Sequence, residues 1–88
     1  MPVPLSKLRR RYCDNGWARS RKGNLWRRLE DGETVTVFER LDDFGELRGY
    51  GFCIYCDNDG ATFSRELYES EGEAVEATWY TLRDWGWV

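Results

Sequence analysis

Tyr50, Phe52, Ile54 and Cys56 alternate with Gly51, Cys53 and Tyr55. A period of two sends successive side chains to opposite faces, so residues 50–56 predict a strand. Upstream, Leu25 to Arg28 and the run Val35, Val37, Phe38 flank Asp31-Gly32. That dipeptide suits a two-residue hairpin turn. A turn of that length sets Trp26 opposite Val37, Arg28 opposite Val35 and Leu25 opposite Phe38. Apolar area then falls on both faces of the sheet. Residues 41–49 read as a polar connection with two glycines, and "DNDG" (57–60) as a second turn. Residues 61–67 return as a fourth strand.

The period changes at residue 70. Ser70 with Glu73 matches a capping box and opens a helix over 71–84. Val75, Thr78, Trp79, Leu82 and Trp85 recur at helical spacing and read as a core-facing stripe, with Glu71, Glu76, Tyr80 and Arg83 turned away. At the other end, Leu5, Leu8 and Tyr12, with Ser6 as cap, predict a short helix over 4–13. Residues 14–24, with two glycines and a lone Trp17, read as loop. The expected fold is α+β: a small antiparallel sheet of three to four strands, a C-terminal helix packed on one face and a short N-terminal helix. The chain divides into a basic segment, 1–23, and a sheet-plus-helix body, 24–88, within a single domain.

This order of elements resembles two small families. Double-stranded-RNA-binding domains run helix, three strands, helix; plant AP2-type DNA-binding domains run sheet, then helix. "YESEGEAVEATWYTL" (68–82) is similar in style to the strand-to-helix junction of the second. The lysines that open the last helix of the RNA-binding family, and grip phosphate there, are replaced here by "ESEGEAVEA" (69–77). Neither family is assigned, since topology alone licenses no function.

Composition adds one decisive feature. The net charge of −3 hides a segregation: residues 1–28 hold nine Lys and Arg against Asp14 alone (+8), and residues 29–88 hold four Arg against fifteen carboxylates (−11). The fourteen aromatics among 88 residues supply a core for a domain this small without disulfides. "MPVPLSKLRRR" lacks the apolar run of a secretory leader, no segment approaches membrane-spanning length, and the cysteines number three. Reduced thiols in the cytoplasm are the expectation.

"CIYCDNDG" (53–60) resembles two metal motifs in part. Zinc needs four ligands; here Cys53 and Cys56 have only Cys13 to join them, no histidine exists, and i, i+3 positions of a strand face apart. An EF-hand register starting at Tyr55 places Asp57, Asp59, Gly60 and Glu66 correctly but lacks the first carboxylate. No metal or cofactor is expected. Without histidine, a phosphate-cradling glycine loop or a metal cluster, catalysis has no recognisable constellation, so a non-enzyme is expected.

Binding remains, argued from charge. Arg9, Arg10, Arg11, Arg19, Arg21, Lys22 and Arg28 stand among Tyr12, Trp17 and Trp26, a composition suited to phosphates and bases. The same cations are equally suited to neutralising the acidic body of their own domain. Asp42, Asp43, Glu46, Glu69, Glu71 and Glu76, with Trp17 and Trp87, form a candidate acidic and aromatic surface that would attract a basic partner. In size, acidity and lack of catalytic motifs the chain resembles small phage-encoded inhibitors, anti-CRISPR proteins among them. The leading expectation is a small interaction protein that binds a protein partner, one belonging to a nucleic-acid-handling complex. The alternative is direct DNA or RNA binding by the basic segment. No membrane or small-molecule substrate is expected.

Overall fold

The computed structural model describes residues 5–14, 16–30, 32–58 and 60–87, the side chain of Leu5 excepted. The elements run α1 (Leu5–Asp14), β1 (Ala18–Arg19), β2 (Leu25–Arg28), β3 (Thr34–Leu41), β4 (Leu47–Cys56), β5 (Gly60–Phe63) and α2 (Glu71–Asp84). The five strands pair in chain order as an antiparallel meander. The fold is therefore α+β as expected, with five strands in place of three or four. The added strand, β1, lies inside the stretch 14–24 read as loop. Two residues are too few to show an alternation, so pairing with β2 is what defines it.

One turn geometry recurs three times in this meander. In residues 20–24, 29–33 and 42–46 the first amide donates to the last carbonyl, and the glycine at the fourth position donates back to the first carbonyl. Gly23, Gly32 and Gly45 take φ of +88°, +93° and +81°. This is the three-residue hairpin connection with a left-handed glycine after the turn. The connection 41–49 is thus a tight hairpin end, with β3 and β4 running to its base. Between β2 and β3 the consequence is larger. The observed pairs are Leu25 with Val37, Trp26 with Thr36, Arg27 with Val35 and Arg28 with Thr34. A two-residue turn would have shifted each by one, and a one-residue slip exchanges the faces of a strand. Trp26 leaves the core side, and Leu25 and Arg27 take it. Asp31 itself, and Asp59 of the 57–60 turn, lie outside the described residues.

One face of the sheet is covered. Val35, Val37, Phe52, Ile54 and Cys56 point inward against Tyr12 of α1 and Ala74, Val75, Trp79 and Leu82 of α2. The Thr78 hydroxyl donates to the Val75 carbonyl at 2.6 Å, leaving the Tyr12 hydroxyl to donate to Thr78 at 2.8 Å. This bond ties the helices together inside the core. Burial pushes the Tyr12 phenol up to about 12. Helix α2 begins as expected, its Ser70 hydroxyl accepting from the Glu73 amide. Trp85, expected on the core stripe, is exposed and packs edge-on to Trp87 at 5.2 Å. Trp85 is the C-cap, beyond the last helical residue Asp84, and Ala74 joins the buried stripe at the opposite end of the helix. Ser6 lies within the first turn of α1 rather than before it. No helix among the described residues is long and apolar enough to cross a membrane.

Candidate functional surfaces

The basic segment is divided by its contacts. Arg9, on α1, donates to the Tyr80 hydroxyl at 3.0 Å and pairs with Glu76 at 3.2 Å. Arg19 grips Glu71 with both guanidinium nitrogens at 3.0 and 3.2 Å and also donates to the Gly23 carbonyl. Both arginines hold their protons more firmly as a result, chiefly through these hydrogen bonds. Two members of the basic set and two of the acidic set therefore neutralise each other within one domain, Arg9 with Glu76 between the two helices and Arg19 with Glu71 between β1 and α2. Arg10 and Arg11 are exposed on α1, Arg21 and Lys22 on the β1–β2 turn, and Arg28 at the end of β2; none of the five makes an ion pair among the described residues. Trp17 is half-buried, with its indole N–H donated to the Tyr12 carbonyl at 2.7 Å and its ring edge-on to Tyr12. Its place is in the packing of α1. Arg27 sits over the Tyr12 ring and donates to the same carbonyl.

The acidic set is likewise spread over two regions. Glu69, Glu71 and Glu76 lie at or along α2. Asp42, Asp43 and Glu46 lie at the end of the β3–β4 hairpin. Asp42 is occupied there: its Oδ1 accepts from the amides of Phe44 and Glu46 at 2.9 Å each, and its Oδ2 meets Arg48 Nε at 3.2 Å. Asp43 and Glu46 are exposed and unpaired among the described residues. Between them stands Phe44, 90% exposed, with Leu41 and Leu47 at 56% and 50% below it. A large apolar side chain wholly in water on a braced turn is the most conspicuous surface feature of the molecule. The signal for it was present in "DDFGE", a lone aromatic inside a polar turn.

Trp87, also 40% exposed, borders a cleft of about 650 Å³ between α1, the β2–β3 hairpin and the end of α2. Leu8, Arg11, Leu29, Glu33 and Trp79 share its walls. Opposed charges line it together, and no single ligand chemistry is favoured. Cys53 and Cys56 lie on opposite faces of β4, half-buried and buried, and do not converge. Cys13 and Cys53 are held above the ordinary thiol range, primarily by desolvation. No group of three or more Cys, Asp or Glu is placed to share a metal ion among the described residues.

Among the described residues no helix lies on the second face of the sheet. Register places Ala18, Trp26, Arg28, Thr34, Thr36, Phe38, Arg40, Gly51, Cys53, Tyr55, Ala61 and Phe63 on it. Phe38 and Phe63 meet edge-to-face at 6.2 Å across the intervening strand β4. Gly51 makes this possible, since a Cβ there would stand 3.2 Å from the Phe38 ring and 3.1 Å from the Ser64 hydroxyl. Of these aromatics, Trp26 was named from sequence, beside the basic residues; Phe38, Tyr55 and Phe63 were not singled out as binding residues.

Neither a known protein family, nor a curated protein, nor a solved structure matches this chain.

Proposed function

We propose that this chain is a non-enzymatic interaction protein that docks onto a protein partner through the end of the β3–β4 hairpin. The exposure of Phe44 on a turn braced by Asp42 carries the reading. Aromatic anchors dominate binding energy at interfaces, and a turn already held in shape loses little freedom on docking. Asp43 and Glu46 flank the ring, so the complementary surface is an apolar pocket rimmed by Lys and Arg. Lys and Arg line the surfaces by which nucleic-acid-handling proteins hold phosphates. Occupying one would make this chain an inhibitor of the phage type, the class it resembles in size and acidity. A cytoplasmic location fits its three unbridged cysteines. Direct nucleic-acid binding through the basic segment is less well supported, because Arg9 and Arg19 are engaged by Glu76 and Glu71.

The test is affinity capture from lysate with the native chain, Phe44→Ala, and the double variant Asp43→Lys, Glu46→Lys, each with and without nuclease. A protein retained after nuclease by the native chain alone, and bound again from pure components, is the expected result. Equal retention by all three chains, or loss of every protein on nuclease treatment, ends the proposal.

A further inference from the structure

The open face of the sheet has a charge unlike that of the protein around it. Along the strands its charged positions are Arg28 and Arg40; no carboxylate stands there, in a chain whose net charge is −3. Glu39, the one acidic residue of β3, has the opposite parity and belongs to the covered side. The acidic helix α2 lies behind the sheet, and the acidic hairpin end lies at its margin.

The aromatics on this face are laid out in order. Trp26, Thr36, Cys53 and Phe63 are successive cross-strand partners, a straight row over β2, β3, β4 and β5. Three strand spacings separate Trp26 from Phe63, roughly 14 Å. Tyr55 stands two residues to one side of that row and Phe38 two residues to the other. Between them the floor is small: Thr36, Cys53, Gly51 and Ala61. Tyr55 and Phe63 are 47% and 58% exposed. Arg40 lies over the Phe38 ring at 5.9 Å, at one end of this array; at the other end Arg28 has the register of the open face, and it also lines the cleft beside α1 on the covered side.

We infer that this face is a stacking platform for single-stranded nucleic acid. Flat rings spaced over small residues accept successive bases by their π-faces, whatever the base, and arginines at the two ends meet the phosphates. The strands of the platform carry no carboxylate, so repulsion of an anionic strand comes only from its margins, where Glu30, Glu33 and Asp57 lie in the adjoining turns. A duplex, whose bases are already stacked on each other, offers no ring to these side chains. The inference moves nucleic-acid contact from the basic segment to the sheet, and it stands apart from the Phe44 hairpin, which lies at the hairpin end.

Fluorescence anisotropy with labelled oligouridine and oligothymidine strands of about 12 nucleotides, and a duplex of equal length, tests it. Both single strands are expected to bind at low salt and to be released as salt rises, the duplex binding at least tenfold more weakly. Phe63→Ala and Tyr55→Ala, both at exposed sites, should each weaken binding roughly 5- to 100-fold. The paired change Arg28→Gln, Arg40→Gln should flatten the salt dependence. Phe44→Ala should leave affinity unchanged, which separates this surface from the hairpin. Circular dichroism of each variant establishes that it is folded. No binding by either strand overturns the inference. So does loss in Arg10→Gln, Arg11→Gln with none in the platform variants, which would locate binding on α1. A dimer in sedimentation that Phe63→Ala dissolves would overturn it too, by showing that a second copy covers the face.

Discussion

The two faces of the sheet are built by the same strands and behave as different materials. Toward the helices, Val35, Val37, Phe52 and Ile54 are almost fully buried and interlock with Tyr12, Val75, Trp79 and Leu82. Away from them, their immediate neighbours Thr36, Phe38, Cys53 and Tyr55 remain half-buried or exposed. The covered face is specified by volume, since close packing makes each methylene count. The open face is specified by what it can present. Residues one step apart in the chain therefore answer to different rules, and paired substitutions expose the difference.

The sharpest contrast is Ile54→Ala against Tyr55→Ala. Ile54 is fully buried, and its truncation should cost about 3 kcal/mol in urea unfolding. Tyr55→Ala should cost less than about 0.5 kcal/mol. Comparable losses would break the division between the faces.

Next comes the burial of the Tyr12 phenol on the covered side. The phenol is raised from an ordinary value near 10 to about 12. Its stabilising contribution is complete below pH 10, because the folded and unfolded chains then both keep the proton. Between pH 10 and 12 the unfolded chain releases that proton first, so stability falls by roughly 2 kcal/mol across the interval. Tyr12→Phe should flatten that part of the pH–stability curve, and an unchanged slope would show that the hydroxyl is not held as described.

A smaller effect, about 1 kcal/mol, is expected for Asp42→Ala, which removes the acceptor for two amides at the hairpin end. Capture through Phe44 should weaken with it, although the ring is untouched. The smallest effect belongs to Arg19→Gln at the exposed pair with Glu71, where the unfolding midpoint should scarcely move and should become less sensitive to salt.

Much of this architecture was legible in the chain. The capping box at Ser70 and the alternation in 50–56 gave α2 and the centre of β4 because each signal repeats over several residues. The β2–β3 register was not legible. Asp31-Gly32 suits a two-residue turn, but Gly32 serves as the left-handed residue of a three-residue one, and that single step sends Trp26 to the open face. Strand β1 was hidden for a related reason: two residues carry no period, and pairing alone reveals them. Of the expected binding residues, Arg9, Arg19, Glu71 and Glu76 were recognisable as charges, but their mutual pairing joins positions more than fifty residues apart in the chain.

What the sequence determined by itself was the kind of protein: strands by period two, a helix by its cap and stripe, and a basic beginning followed by an acidic body. Those properties are local, set by a residue and its near neighbours. The open face, the cancellation of charges between distant elements and the isolation of Phe44 were decided by tertiary structure. Each depends on which distant residues are brought together, and on a register that one residue of turn length is enough to change.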